Sequence, residues 1–103
     1  MALTELEFEF KTENPKTITS DWTHAGVLGS GDMEVLMRPC ENGGIASIKI
    51  KTKVHGFDEV WKNVLERFVQ TQRLGNIVIE INDNAATPPV VVRRLQQALE
   101  NAE

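Results

Sequence analysis

The chain has 103 residues, 41% apolar and 25% charged, with a net charge of 11 − 15 = −4, which suits one soluble globular domain over residues 1–103. A mild acid excess argues against a dedicated nucleic-acid binder, whose affinity rests on neutralising phosphates, and the lone Cys40 excludes an internal disulfide and Cys-pair zinc sites. No apolar run approaches the roughly 18 residues of a membrane span, and the first seven residues lack the basic and apolar regions of a signal peptide, so a cytoplasmic protein with no membrane attachment is expected.

Leu6-Glu7-Phe8-Glu9-Phe10-Lys11 alternates apolar and charged residues, the pattern of a half-buried strand. Asn14-Pro15-Lys16 breaks it, and Thr12 to Asp21 reads as a polar loop. A second strand is expected from Trp22 to Leu28, where Trp22, Val27 and Leu28 suit a sheet, and a third from Met33 to Arg38. Gly29-Ser30-Gly31-Asp32 between them predicts a tight hairpin turn. Glu41-Asn42-Gly43-Gly44 marks the next turn. In Ile45 to Val54 the residues Ala46, Ile48, Ile50, Thr52 and Val54 share one face, and Ser47, Lys49, Lys51 and Lys53 share the other.

The period then changes. Val60, Trp61, Val64, Leu65, Phe68 and Val69 recur at helical spacing, with Asp58 placed as N-cap and Gly75 as the left-handed C-terminal residue. Ile77-Val78-Ile79-Glu80-Ile81 is apolar on both sides, as in a central strand. Thr87 caps the last helix and Pro88 fits its first turn, followed by the stripe Val91, Leu95, Ala98, Leu99 and Ala102. Two amphipathic helices and about five strands predict an α+β fold. The expected form is a two-layer sandwich, a largely antiparallel or mixed sheet with both helices on one face.

Catalytic groups are sparse. His24 lies near Ser30, and the two could be imagined as base and nucleophile, but a surface histidine at a strand end is the plainer reading. Gly29-Ser30-Gly31 lacks the strand-to-helix setting of a nucleophile elbow. His24 and His55 form no metal-ligand spacing with the scattered carboxylates. Asp58 and Glu59 suit a helix N-terminus, and Asp83 a local turn. Lys49, Lys51 and Lys53 read as a solvated stripe before they read as a phosphate-binding one. Trp61 and Phe68 are core by spacing. What remains is a serine bracketed by glycines at a hairpin tip, exposed and open to close approach by another molecule.

Gly26-Val27-Leu28-Gly29-Ser30-Gly31-Asp32-Met33-Glu34-Val35-Leu36 closely resembles the serine segment of the malonate decarboxylase acyl carrier family. The likeness continues at Trp61-Lys62, Glu66-Arg67-Phe68, Asp83, Ala86-Thr87-Pro88, Val91 and Arg94-Leu95. A weaker similarity, Ala25-Gly26-x-Leu28-x-Ser30-x-Asp32, runs to the acyl carrier subunit of citrate lyase. Ala85 departs from the family's usual glycine, and the Asp-Ser-Leu signature of helical acyl carrier proteins is absent.

The resemblance implies a non-catalytic carrier subunit whose Ser30 bears, through a phosphodiester, a covalent 2'-(5''-phosphoribosyl)-3'-dephospho-CoA. Its thiol would hold acetyl and malonyl thioesters while malonate is converted to acetate and carbon dioxide. A thioester carbonyl delocalises the charge left when carbon dioxide departs, which a free malonate cannot do as well. The implied partners are the decarboxylase and acyl-transferase subunits and a prosthetic-group transferase. A citrate lyase-type carrier, a non-covalent adaptor using the lysine stripe or a sheet edge, and a hydrolase built on Ser30 and His24 stand as alternatives.

Overall fold

In a computed structural model describing residues 3–102, the chain runs β1 (Thr4–Lys11), β2 (Thr23–Gly26), β3 (Asp32–Pro39), β4 (Ile45–Thr52), α1 (Asp58–Gln72), β5 (Ile77–Asn84) and α2 (Pro88–Asn101). The five strands form one sheet in the order β1-β4-β5-β3-β2. Only β4 and β5 are parallel, joined by the α1 crossover, and the other pairs are antiparallel. The expected α+β arrangement with a mixed sheet is what the chain adopts.

One face of the sheet is apolar because each strand alternates. Met33, Val35 and Met37 of β3, Ala46, Ile48 and Ile50 of β4, and Ile77, Ile79 and Ile81 of β5 are buried on it. Trp61, Leu65, Phe68 and Val69 of α1 and Val91, Leu95 and Ala98 of α2 join them in a single core. α2 lies over β2 and β3, while α1 leans towards β1. Each fully buried Ile or Leu contributes about 1.5–3 kcal/mol. Among the described residues no helix is long and apolar enough to cross a membrane.

Four local expectations are corrected. β2 is only Thr23–Gly26, and Trp22, Val27 and Leu28 lie outside it and are exposed; the buried residues of the strand are Thr23 and Ala25, which sit under α2, where Thr23 Oγ1 donates to the Ala98 carbonyl (2.7 Å). β5 is central because β3 and β4 flank it, not because both its faces are covered: Val78, Glu80 and Asn82 are only partly buried. The N-cap of α1 is Phe57, with Asp58 the first helical residue. The left-handed residue ending α1 is Arg73 (φ 54°), not Gly75. Leu74 is buried there and its N–H reaches back to the Val69 carbonyl (3.1 Å), the six-to-one bond of a Schellman closure. Gly75 serves a different need, since a Cβ there would lie 2.4 Å from the Gly44 carbonyl oxygen.

The register fixes which groups share an end of the sheet. Thr52 is opposite Asp83, Asp32 opposite Asn84, Thr4 opposite Thr52, and Gly26 opposite Glu34. The C-terminal ends of β4 and β5, the start of β3 and the first turns of both helices therefore gather at one end. Cys40 lies beyond the other end of β3, where its N–H donates to the Asn76 carbonyl (2.8 Å).

Candidate functional site

Ser30 is exposed at the corner of the β2–β3 connection. The Asp32 N–H donates to the Gly29 carbonyl (3.0 Å), closing a β-turn with Ser30 and Gly31 as its central residues. Gly31 has φ 74°, whereas Ser30 is not among the positive-φ residues. Those signs are those of a type II turn, in which glycine at the third position avoids the Cβ penalty. An added Cβ at Gly31 would meet nothing within 4 Å, and one at Gly29 only a Val27 methyl at 3.9 Å. Both flanks of the serine are thus open.

The base of the turn is held firmly. The Gly31 N–H donates to the Asn84 carbonyl at the end of β5 (2.7 Å). Asp32 accepts from the Met33 N–H (2.7 Å) and, in a bidentate pair, from Arg94 Nε (2.9 Å) and Nη2 (2.5 Å). Arg94 Nη1 donates in turn to Gln97 Oε1 (2.8 Å). Fork-to-carboxylate geometry of this kind fixes direction as well as distance. The Arg94 guanidinium, helped by the Met33 N–H, holds the Asp32 carboxyl below the usual carboxylate range, and Asp32 raises Arg94 in return.

Gly26 makes the clamp possible. Its φ is 85°, and a Cβ there would lie 2.1 Å from the Met33 carbonyl oxygen and 3.1 Å from Arg94 Cδ. The stem of Arg94 crosses the space that any other residue would fill. The pairing of Asp32 with Arg94, 62 positions apart, is a feature of the serine corner that sequence reading missed. The nearest signal was that both residues fall within the quoted family likeness.

The other sequence candidates go elsewhere. His24 pairs with Glu34 (3.4 Å) on the open face of the sheet, and no hydrogen bond joins it to Ser30 among the described residues. His55 Nδ1 meets Thr4 Oγ1. Lys49 and Lys51 are opposite Glu7 and Glu5 of β1, and Lys49 is also opposite Glu80 of β5. The basic stripe is therefore matched by acids on its neighbours, the arrangement that favours cross-strand pairing. Asp83 is buried and accepts from Thr52 Oγ1 (2.8 Å), Ala85 N–H (3.2 Å) and Ala86 N–H (3.0 Å). Its expected turn bonds are present, together with a hydroxyl bond across the sheet. Asp58 and Glu59 occupy the first turn of α1. Thr87 is the N-cap of α2 and Pro88 follows in its first turn, although the threonine makes no side-chain cap bond. Among the described residues no group of three or more His, Cys, Asp or Glu comes together as a metal site.

Comparison with known proteins aligns this serine corner with one family. Residues 20–102 match the acyl carrier family model described as the malonate decarboxylase delta subunit (MdcD). The chain is 50% identical over 101 residues to the malonate decarboxylase acyl carrier protein of Malonomonas rubra, covering 98% of this chain and 90% of that one. It is 35% identical over 95 residues to the protein of the same name from Acinetobacter calcoaceticus, covering 92% of each. Among solved structures it is similar to a chain in a crystal structure described as a Pseudomonas malonate decarboxylase hetero-tetramer in complex with malonate. The TM-score is 0.84 at 35% identity, covering 97% of this chain and 99% of that one.

Proposed function

The chain belongs to the malonate decarboxylase acyl carrier protein family, and from that premise we propose that Ser30 is its attachment residue for a phosphoribosyl-dephospho-coenzyme A arm joined through a phosphodiester. The observation that carries the reading is an exposed serine at the corner of a turn whose base is locked to β5 and α2. The residues fit such a group: the space beside Gly29 and Gly31 is open, so neither a bulky substituent nor the active site of a modifying enzyme meets a side chain of the turn. When attached, the arm supplies a terminal thiol that carries acetyl or malonyl as a thioester.

The contribution of this chain is placement. The Asp32–Arg94 pair and the Gly31–Asn84 bond keep the turn from folding back, so the Ser30 hydroxyl stays presented to solvent. A fixed anchor limits the volume swept by a tethered group and so raises its effective concentration at each partner site. Chemistry belongs to the arm and to partner subunits. Those partners are the acyl-transferase and decarboxylase subunits of the complex and the transferase that loads Ser30.

Intact mass of the protein from its native host tests this reading. The expected result is a phosphorus-containing adduct located on Ser30. Ser30→Ala should keep the fold within about 0.5 kcal/mol, as for a surface substitution away from caps and core, while losing the adduct and the malonate turnover of a complex in which it is the only carrier. Turnover retained by that complex would refute the assignment.

A further inference from the structure

A hollow of about 400 Å³ lies between the first turns of α1 and α2, within the roughly 300–1,000 Å³ range of small-ligand sites. Its lining includes Phe57, Val60, Trp61, Ala86, Pro88 and Val91, with Asp83 at its margin. Phe57 and Val60 are exposed, at 50% and 42%, although they are large and apolar. The hollow is close to the serine corner. Gly31 bonds Asn84, and Ala86 is two Cα steps further, at most about 7.6 Å. It continues between the helices, past Val64 and Pro88, into a shallower groove that also contains Arg67 and Arg93.

We propose that this hollow is the resting site of the acetyl-bearing end of the arm, and that a malonyl group is excluded from it. The inference rests on the assignment of the arm to Ser30. An acetyl thioester is uncharged, so its methyl and sulfur gain from leaving water against Phe57, Val60 and Val91. A malonyl thioester ends in a carboxylate. In the hollow it would meet apolar carbon and the Asp83 carboxylate, with no cation among the lining residues, and an unpaired charge is not buried cheaply. The two acyl states thus differ in exposure: the acetyl end sheltered, the malonyl end free for the partner that decarboxylates it.

The test uses the Cys40→Ser carrier, isotopically labelled and loaded by its transferase, with the Ser30 adduct verified by mass. Amide spectra are then compared for the acetyl and malonyl forms. The expected result is displacement of the resonances of residues 57–64, 85–87 and 90–91 in the acetyl form relative to the malonyl form. Val60→Glu should abolish the difference while the adduct and the rest of the spectrum persist, and Phe57→Ser serves the same purpose if Val60→Glu does not fold. Identical spectra at those residues, or equal displacement by both acyl groups, overturn the proposal. So does displacement that appears only when partner subunits are added, since the hollow is then a protein-docking surface. Absence of a Ser30 adduct is read in the mass alone and overturns the attachment assignment, and this inference with it.

Discussion

Gly26→Ala should be among the most damaging single-methyl changes in the chain. The added Cβ would lie 2.1 Å from the Met33 carbonyl oxygen, a backbone atom that cannot rotate away. Relief requires β2 and β3 to separate by about an ångström at the end that carries Ser30, an overpacking cost of about 1–3 kcal/mol. The φ of 85° adds a left-handed penalty of about 1–2 kcal/mol for a residue with a Cβ. Together these give about 2–5 kcal/mol, a fall in melting temperature of at least about 8 °C for a domain of this size. The same methyl would push on Arg94 Cδ, 3.1 Å away, and loosen the grip on Asp32. Chemical and thermal denaturation measure the first effect, and the rate of Ser30 loading by the transferase measures the second. A variant within about 0.5 kcal/mol of the parent, the range of an inconsequential surface change, would show that the close approach of Gly26 to Met33 and Arg94 is not what holds the corner.

Three further substitutions probe neighbouring features. Asp32→Asn removes a carboxylate whose folded pKa lies below its ordinary 3.8; a lowered value contributes stability that is present above 3.8 and lost as the pH falls through the folded value. The parent should therefore lose stability more steeply than Asp32→Asn on acidification below 3.8, and parallel curves would refute the role of the pair. Ala85 has φ 63°, so Ala85→Gly should raise stability by about 0.5–1 kcal/mol, the relief of left-handed strain exceeding the extra freedom glycine gains on unfolding; a loss in denaturant titration would contradict this. Cys40→Ser should cost about 1 kcal/mol or less, since Cys40 is half-buried and its N–H bond to Asn76 survives. Ser30 should still be loaded in that variant, by intact mass, and thiol alkylation should still find the arm.

The elements most legible in the sequence are those in which burial alone decides the residue type. In β4 the alternation of Ala46, Ile48 and Ile50 with Lys49 and Lys51 follows directly from one buried and one wet face. α1 was similarly visible, because Trp61, Leu65, Phe68 and Val69 must all reach the same core. Where a residue's neighbours come from distant chain, pattern reading went astray. Trp22, Val27 and Leu28 looked like strand residues but are exposed, because β2 is only long enough to set Thr23 and Ala25 under α2. Gly75 looked like a helix terminator, yet what demands glycine there is the carbonyl of Gly44, 31 positions earlier, and Arg73 takes the left-handed conformation instead. The serine stood out through its glycines and its family likeness. Its support did not, since neither Asn84 nor Arg94 carries any local mark of the turn it holds.

The position of β5 also sets an order of assembly. β3 and β4 are consecutive in the chain, but each leaves its inner edge vacant until β5, delivered by the α1 crossover, enters between them. Closing that gap spans more than thirty residues of chain, and such non-local pairing is the slow part of folding. The β2–β3 hairpin lacks the Asn84 carbonyl and the Arg94 guanidinium until synthesis has passed residue 94. On the ribosome, the serine is therefore present long before the corner that presents it. The chain has a built-in delay between encoding this serine and completing the corner around it.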